Sequence, residues 1–214
     1  QPNKSNVTSS KTRRIGFLGS VNYSYDDVYL FDGSFRLDAS SQFGKDKQWA
    51  PFWSAGVGIN VHNYAFLKDN WLLSMLKIRA SYGSTGNVNF PPSMATTTYK
   101  IESDSWFFTG PAVGLMALGN PKLTWEKTNT LDAGVNIGFL NNLITLNAAY
   151  YCKKTKDLID EISVRKSSGF TSYSINSGGI KNEGIEFSLN ATVFRNTDWM
   201  VVVSAGLSHN KNTI

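Results

Sequence analysis

Apolar and polar residues alternate with a period of two along almost the whole chain, the spacing that sends successive side chains to opposite faces of a β-strand. In the first run Ile15, Phe17, Val21, Tyr23 and Tyr25 interleave with Arg14, Ser20, Asn22 and Ser24. After Asp26 and Asp27 the pattern returns as Tyr29, Phe31, Phe35, Leu37 and Ala39 against Asp32, Ser34, Arg36 and Asp38, so the two runs predict a hairpin. A third run sets Trp53, Ala55, Val57, Ile59 and Val61 against Ser54, Gly56, Gly58 and Asn60, and a fourth sets Leu76, Ile78, Ala80 and Tyr82 against Lys77, Arg79 and Ser81. The fifth, Leu131, Ala133, Val135, Ile137 and Phe139, leads through an Asn141-Asn142 turn into the sixth, Ile144, Leu146, Ala148, Tyr150 and Cys152. Ile185, Phe187, Leu189, Ala191 and Val193 make the seventh, and residues 199–207 the eighth.

These eight strands of about 9–15 residues are long for a soluble sandwich, where strands of about 5–6 residues are commonest. They suit a membrane-spanning strand, which needs about 9–11 residues at a steep tilt. One face of each run is nearly free of charge, whereas the other carries Asp32, Arg36, Asp38, Asp132 and Glu186 in mid-strand among Gly, Ser, Thr and Asn. That division predicts lipid on one side and a hydrated lumen on the other. Connections alternate in length: short near Asp26, longer at 40–50, modest at 62–75, very long at 83–124, short at 140–142, long at 157–179, short at 195–198. Outer-membrane barrels alternate short periplasmic turns with long outer loops in this way. The 62–75 link, with Phe66, Leu67, Trp71, Leu72 and Leu73, predicts a short capping helix on the short-turn side. Tyr23, Tyr25, Tyr29, Trp53, Phe139, Tyr150, Phe194 and Trp199 stand at strand ends, where interfacial aromatic girdles form.

Composition narrows the class. With 214 residues, 41% hydrophobic and 17% charged, the chain is neither disordered nor a coiled coil. The charge-free stretches 48–67, 106–119 and 133–152 are interrupted by Gly, Asn or Pro and predict no spanning helix. A single cysteine excludes an internal disulfide framework and a multi-cysteine metal site. The net charge of +5 is spread without a basic stripe, which argues against nucleic acid as a partner. Residues 1–14 read as the polar tail of a loop without an apolar leader core, and residues 208–214 stop as a strand reaches the long-loop side. Both ends therefore suggest a piece of a larger barrel. A self-contained eight-stranded barrel of structural or adhesive role is the alternative, and a soluble glycan-binding β-sandwich a third.

Several words in the sequence go beyond periodicity. Leu76-Lys77-Ile78-Arg79-Ala80-Ser81-Tyr82-Gly83 with Thr85-Gly86-Asn87, and Asn120-Pro121-Lys122-Leu123-Thr124-Trp125-Glu126-Lys127-Thr128, closely resemble the SusC/RagA-type TonB-linked outer-membrane transporters of Bacteroidetes. So do Phe35-Arg36-Leu37-Asp38-Ala39-Ser40-Ser41, Lys156-Asp157-Leu158-Ile159 and Gly178-Gly179-Ile180-Lys181-Asn182-Glu183-Gly184-Ile185-Glu186. Together they cover roughly residues 21–211. The resemblance implies an all-β fold: an antiparallel transmembrane β-barrel segment, about eight long strands of a larger plugged barrel of the 22-stranded kind. Residues 1–214 would be part of the receptor's β-barrel domain, with plug, TonB-interaction segment and last strands lying elsewhere. It further implies uptake of oligosaccharides or peptides, energy from the TonB complex, and a SusD-like surface lipoprotein as lid. Ala39 and Gln42 depart from the Gly and Arg expected at those places, which bears on subfamily.

Candidate chemistry is sparse, and no enzyme, catalytic residue, metal site or cofactor is predicted. Asp157, Asp160 and Glu161 could be imagined as glycosidase carboxylates but read as solvated acids beside a long loop. Cys152 falls on the apolar side, where it packs as a small hydrophobe, and His62 and His209 read as surface or interfacial residues. Lys153, Lys154 and Lys156, with Arg165 and Lys166, cluster where a strand meets the long loops, as a solvated rim or a contact for outer-leaflet phosphates. For substrate contact the long loops offer Trp106, Phe107, Phe108, Phe170 and Tyr173, aromatic faces that stack on sugar rings.

Overall fold

The computed structural model describes residues 11–67, 70–88, 90, 94–108 and 110–214, and at 102–107 and 166 the description is confined to the backbone. Twelve strands occur in it: β1 (Arg14–Tyr25), β2 (Tyr29–Ser40), β3 (Trp49–Asn60), β4 (Leu73–Asn87), β5 (Thr98–Phe107), β6 (Gly110–Ala117), β7 (Glu126–Phe139), β8 (Ile144–Lys156), β9 (Ile159–Ser163), β10 (Ser172–Asn176), β11 (Gly179–Arg195) and β12 (Met200–Thr213). Eight of them form one antiparallel sheet in the order β1-β2-β3-β4-β7-β8-β11-β12, the eight strands the alternation predicts. The other four are two hairpins, β5-β6 and β9-β10, inserted in the two longest connections.

Where the connection between two wall strands is short, it turns tightly. Asp26 and Asp27 both take positive φ, 54° and 51°, and Val28 N–H donates to the Tyr25 carbonyl at 3.1 Å. Leu140, Asn141 and Asn142 do the same between β7 and β8, with φ of 53°, 55° and 63°. Asn and Asp tolerate that left-handed region, and the twist it imparts suits a hairpin.

Among its described residues the 62–75 link forms no α-helix. A single 3-10 turn spans Val61–Asn63, and β4 has begun by Leu73. The segment is consumed by tying two turns together: Asn60 and Asn63 side-chain amides both donate to the Asp27 carbonyl at 2.8 Å, and His62 Nδ1 sits 3.2–3.3 Å from the backbone oxygen and nitrogen of Leu76. No α-helix occurs among the described residues, and no helix is long and apolar enough to cross a membrane.

Register sorts the side chains into two faces. Tyr25, Tyr29, Ile59 and Ile78 line up across four strands on the apolar face, as do Tyr23, Phe31, Val57 and Ala80 one row along. Most of these large apolar side chains are exposed, so in water the face would stand bare. Aromatic contacts mark both of its margins. Tyr25, Tyr29 and Tyr64 meet at the short-turn end, with a 2.7 Å hydroxyl contact between the last two, and Phe17–Trp49 and Trp53–Tyr82 pair toward the long-loop end. The sheet does not close: β1 and β12 each pair on one side only among the described residues. A self-contained eight-stranded barrel is therefore not the arrangement, and the bare apolar face is not covered by a second sheet.

Candidate functional site: the polar wall and its outer loops

The polar face is a ladder of matched groups. Arg36 Nε lies 2.6 Å from Asp38 Oδ1, Ser34 and Ser54 hydroxyls meet at 2.7 Å, and Thr128 and Thr155 hydroxyls at 2.8 Å. Asn136 Nδ2 donates to Asn147 Oδ1 at 2.5 Å, and Asn147 Nδ2 donates to Ser188 Oγ at 3.2 Å. Asp32, Gly56, Ser81 and Asp132 form one cross-strand row beside Lys77 and Arg79, bordering a groove of about 490 Å³. Gly56 belongs there because a Cβ would come within 2.6 Å of the Asp32 carboxylate oxygens. Such a face suits contact with water and polar solutes, and among the described residues no group of three or more His, Cys, Asp or Glu side chains could hold a metal ion.

At the long-loop end the described hydrophobic core gathers around Phe43, Ala50, Phe52, Phe90, Leu123 and Trp125. Leu123 is fully buried, and Trp125 packs on Phe43 at a 4.9 Å ring separation while its Nε1–H donates to the Gln48 carbonyl at 3.1 Å. The segment from Asn120 to Trp125 is thus a clasp. Asn120 Nδ2 donates to the Ser174 carbonyl at 2.8 Å, and the Asn120 side-chain oxygen accepts from Lys122 N–H at 3.0 Å. Asn176 completes it from β10, accepting from Thr124 N–H at 2.8 Å and donating to the Thr124 and Asp157 carbonyls at 2.9 and 2.8 Å. Sequence reading marked the Asn120–Trp125 words without seeing that they join three outer loops. Asn176 went unmarked because its partners lie 19 and 52 residues away.

Asn176→Asp is expected to turn two donor contacts into carboxylate–carbonyl repulsion, at a local cost of roughly 1.5–3 kcal/mol. Proteolysis of the full-length protein should then cut within 157–178 faster while the wall stays intact; unchanged cutting would show that the clasp does not hold that loop.

Of the proposed contact residues, Phe170 and Tyr173 are half-buried and line a small groove with Met94, Met116 and Leu118, where the two loop hairpins meet. Phe108 stands fully exposed at the tip of the β5-β6 hairpin, apart from that groove. The side chains of Trp106 and Phe107 lie outside the described residues. The basic cluster divides. Lys153 shares the polar face with Tyr151, its ammonium 5.5 Å from that ring, whereas Lys154 and Lys156 follow Cys152 onto the apolar side. Arg165 is exposed on the loop, and the Lys166 side chain lies outside the described residues.

A single sheet, apolar outside, polar inside, with aromatic margins and long loops at one end, is the wall of an outer-membrane β-barrel. The profile of TonB dependent receptor-like β-barrels matches residues 1–213, and the chain belongs to that family. It is 35% identical over 201 residues to TonB-dependent receptor P26 of Formosa agariphila, and 32% identical over 216 residues to TonB-dependent receptor SusC of Bacteroides thetaiotaomicron; the alignments cover 92% and 96% of this chain. The solved RagAB peptide transporter superposes with a TM-score of 0.84 at 30% identity, over 94% of this chain and 22% of that one. The chain spans about a fifth of the curated relatives, 20% and 21% of their lengths. It is an outer-membrane protein of the SusC/RagA type, and its relatives are receptors and transporters, not enzymes.

Proposed function

We propose that this chain is a stretch of barrel wall in a TonB-dependent importer of oligosaccharides or peptides, working with a SusD-like surface lipoprotein. Residues 1–214 would belong to its barrel domain, and the plug and the segment that engages TonB to other parts of the protein. The observation that carries this reading is the likeness to RagAB, a peptide transporter, over 94% of the chain. Two features support it. The inner ladder is polar, fit to line a hydrated lumen. The free edges of β1 and β12 expose unpaired backbone groups, which lipid does not tolerate, so further strands must complete the wall. Phe108, Phe170 and Tyr173 on the outer loops, with Trp106 and Phe107 next to Phe108 in sequence, are the proposed substrate contacts.

The test is uptake by cells expressing the full-length receptor, with labelled peptides and labelled oligosaccharides compared, each with and without a functional TonB. Import of either class that needs TonB supports the reading, and import that ignores TonB overturns it. Replacing Phe170 and Tyr173 together by Ala is expected to reduce import between about fivefold and a hundredfold, since each stacking contact is worth about 0.5–1.5 kcal/mol. Unchanged import at equal surface abundance would remove those two residues from the contact set.

A further inference from the structure

The outward face at the long-loop end carries a charge pattern that the transport reading does not use. Register sets Lys127 of β7 directly opposite Lys156 of β8, and Lys154 of β8 directly opposite Lys181 of β11. One row nearer the apolar band, Lys211 of β12 stands opposite Glu183. By parity all five lysines share the face of Leu131, Tyr150, Ile185 and Leu207, the face that meets lipid. Directly opposed side chains have Cβ atoms about 4.5–5.5 Å apart, and rows on one face repeat about every 7 Å along a strand. Four ammonium groups therefore share a patch roughly 10 Å across on three adjacent strands.

Opposed like charges destabilise a sheet. Glu183 pairs with Lys181 at 2.5 Å, but Lys127, Lys154 and Lys156 are exposed and form no ion pair among the described residues. The next outward row is Leu131, Cys152 and Glu183, and below it the face turns wholly apolar with Ala133, Tyr150 and Ile185. Lysine stems lie along such a surface while their heads reach the interface. The ligand that fits has several negative charges in a broad head and hydrocarbon beneath it.

We propose that Lys127, Lys154, Lys156 and Lys181, with Lys211 at their margin, bind the phosphate groups of an outer-leaflet glycolipid of the lipid A kind. The long-loop end faces the outer leaflet, and a phosphorylated sugar head spans several strands, which a single-phosphate phospholipid head does not. One phosphate, at about −1.5 to −2 charge, would neutralise the opposed Lys127–Lys156 pair, and a second would meet Lys154, whose opposite number Lys181 already shares its charge with Glu183. The inference rests on the register and on the outer-membrane placement, and stands whatever the substrate.

The experiment is native mass spectrometry of the delipidated full-length receptor in detergent, titrated separately with phosphorylated lipid A, dephosphorylated lipid A, phosphatidylglycerol and inorganic phosphate. Lipid A is expected to bind, and to bind at least tenfold more weakly to the Lys127→Gln/Lys156→Gln variant or when its phosphates are removed. Equal binding by that variant overturns the proposal. So does binding of phosphatidylglycerol or inorganic phosphate as tight as that of lipid A. Thermal unfolding gives a second readout. Without lipid the double variant should match or exceed the parent, because an opposed like-charge pair is gone; with lipid A it should fall below. A variant less stable than the parent in lipid-free detergent would remove the like-charge premise.

Discussion

Val135→Arg is expected to destabilise the folded barrel by about 2–4 kcal/mol, the range for an arginine on the lipid face at the bilayer midplane. Val135 lies midway along the apolar run of β7 from Leu131 to Phe139, in a row with Ile78, Ala148 and Phe187. No carboxylate stands in that row to pair with a guanidinium. The contrast is Ser81→Arg on the polar face, where the new side chain lands directly opposite Asp132 and should change stability by less than about 1 kcal/mol. Unfolding of the full-length receptor in lipid vesicles, followed by heat-modifiable gel mobility, separates the two. Equal losses would sink the division into a lipid face and a water face, and a larger loss for Ser81→Arg would mean that the two faces are assigned to the wrong sides.

Trp125→Ala should cost about 3–5 kcal/mol locally, the range for emptying a large aromatic from a packed core. The ring stacks on Phe43, meets Phe52 edge-on at 5.6 Å, and holds the 41–48 connection through Gln48. The loss belongs to the outer loops rather than to the wall, whose strands are held by their own ladders. Protease digestion of whole cells should therefore cleave the outer loops rapidly, while the barrel's melting temperature in detergent moves little. Trp125→Phe keeps most of the packing and loses one hydrogen bond, about 1 kcal/mol, so its loops should stay largely protected. If Trp125→Ala leaves digestion unchanged, the aromatic cluster is not what orders the loops.

These two expectations draw on different levels of information. The face on which Val135 sits is legible from the sequence, because side-chain direction in a strand depends only on parity and the neighbours at two-residue spacing repeat the signal. The role of Trp125 is not, since Gln48, its hydrogen-bond partner, lies 77 residues away. Strand ends are less legible in the sequence for a related reason. β4 runs Leu73–Asn87 and β11 Gly179–Arg195, beyond the apolar alternation of 76–82 and 185–193, because outside the bilayer a strand needs only its backbone partners. The expected helix at 62–75 failed because an apolar composition says nothing of the turn-to-turn hydrogen bonds that occupy that link.

By itself the sequence determined eight wall strands, their polar and apolar faces, the alternation of short turns and long loops, and a recognisable family. All of these follow from a two-residue period and from local turn chemistry. The tertiary structure alone decided that the long loops carry hairpins clasped by Asn120, Trp125 and Asn176, that Phe170 and Tyr173 share a groove while Phe108 stands apart, and that four lysines face one another in pairs. Each of these depends on which residue of one strand or loop lies beside which residue of another, and cross-strand register and loop packing join positions too far apart in the chain for any local period to encode.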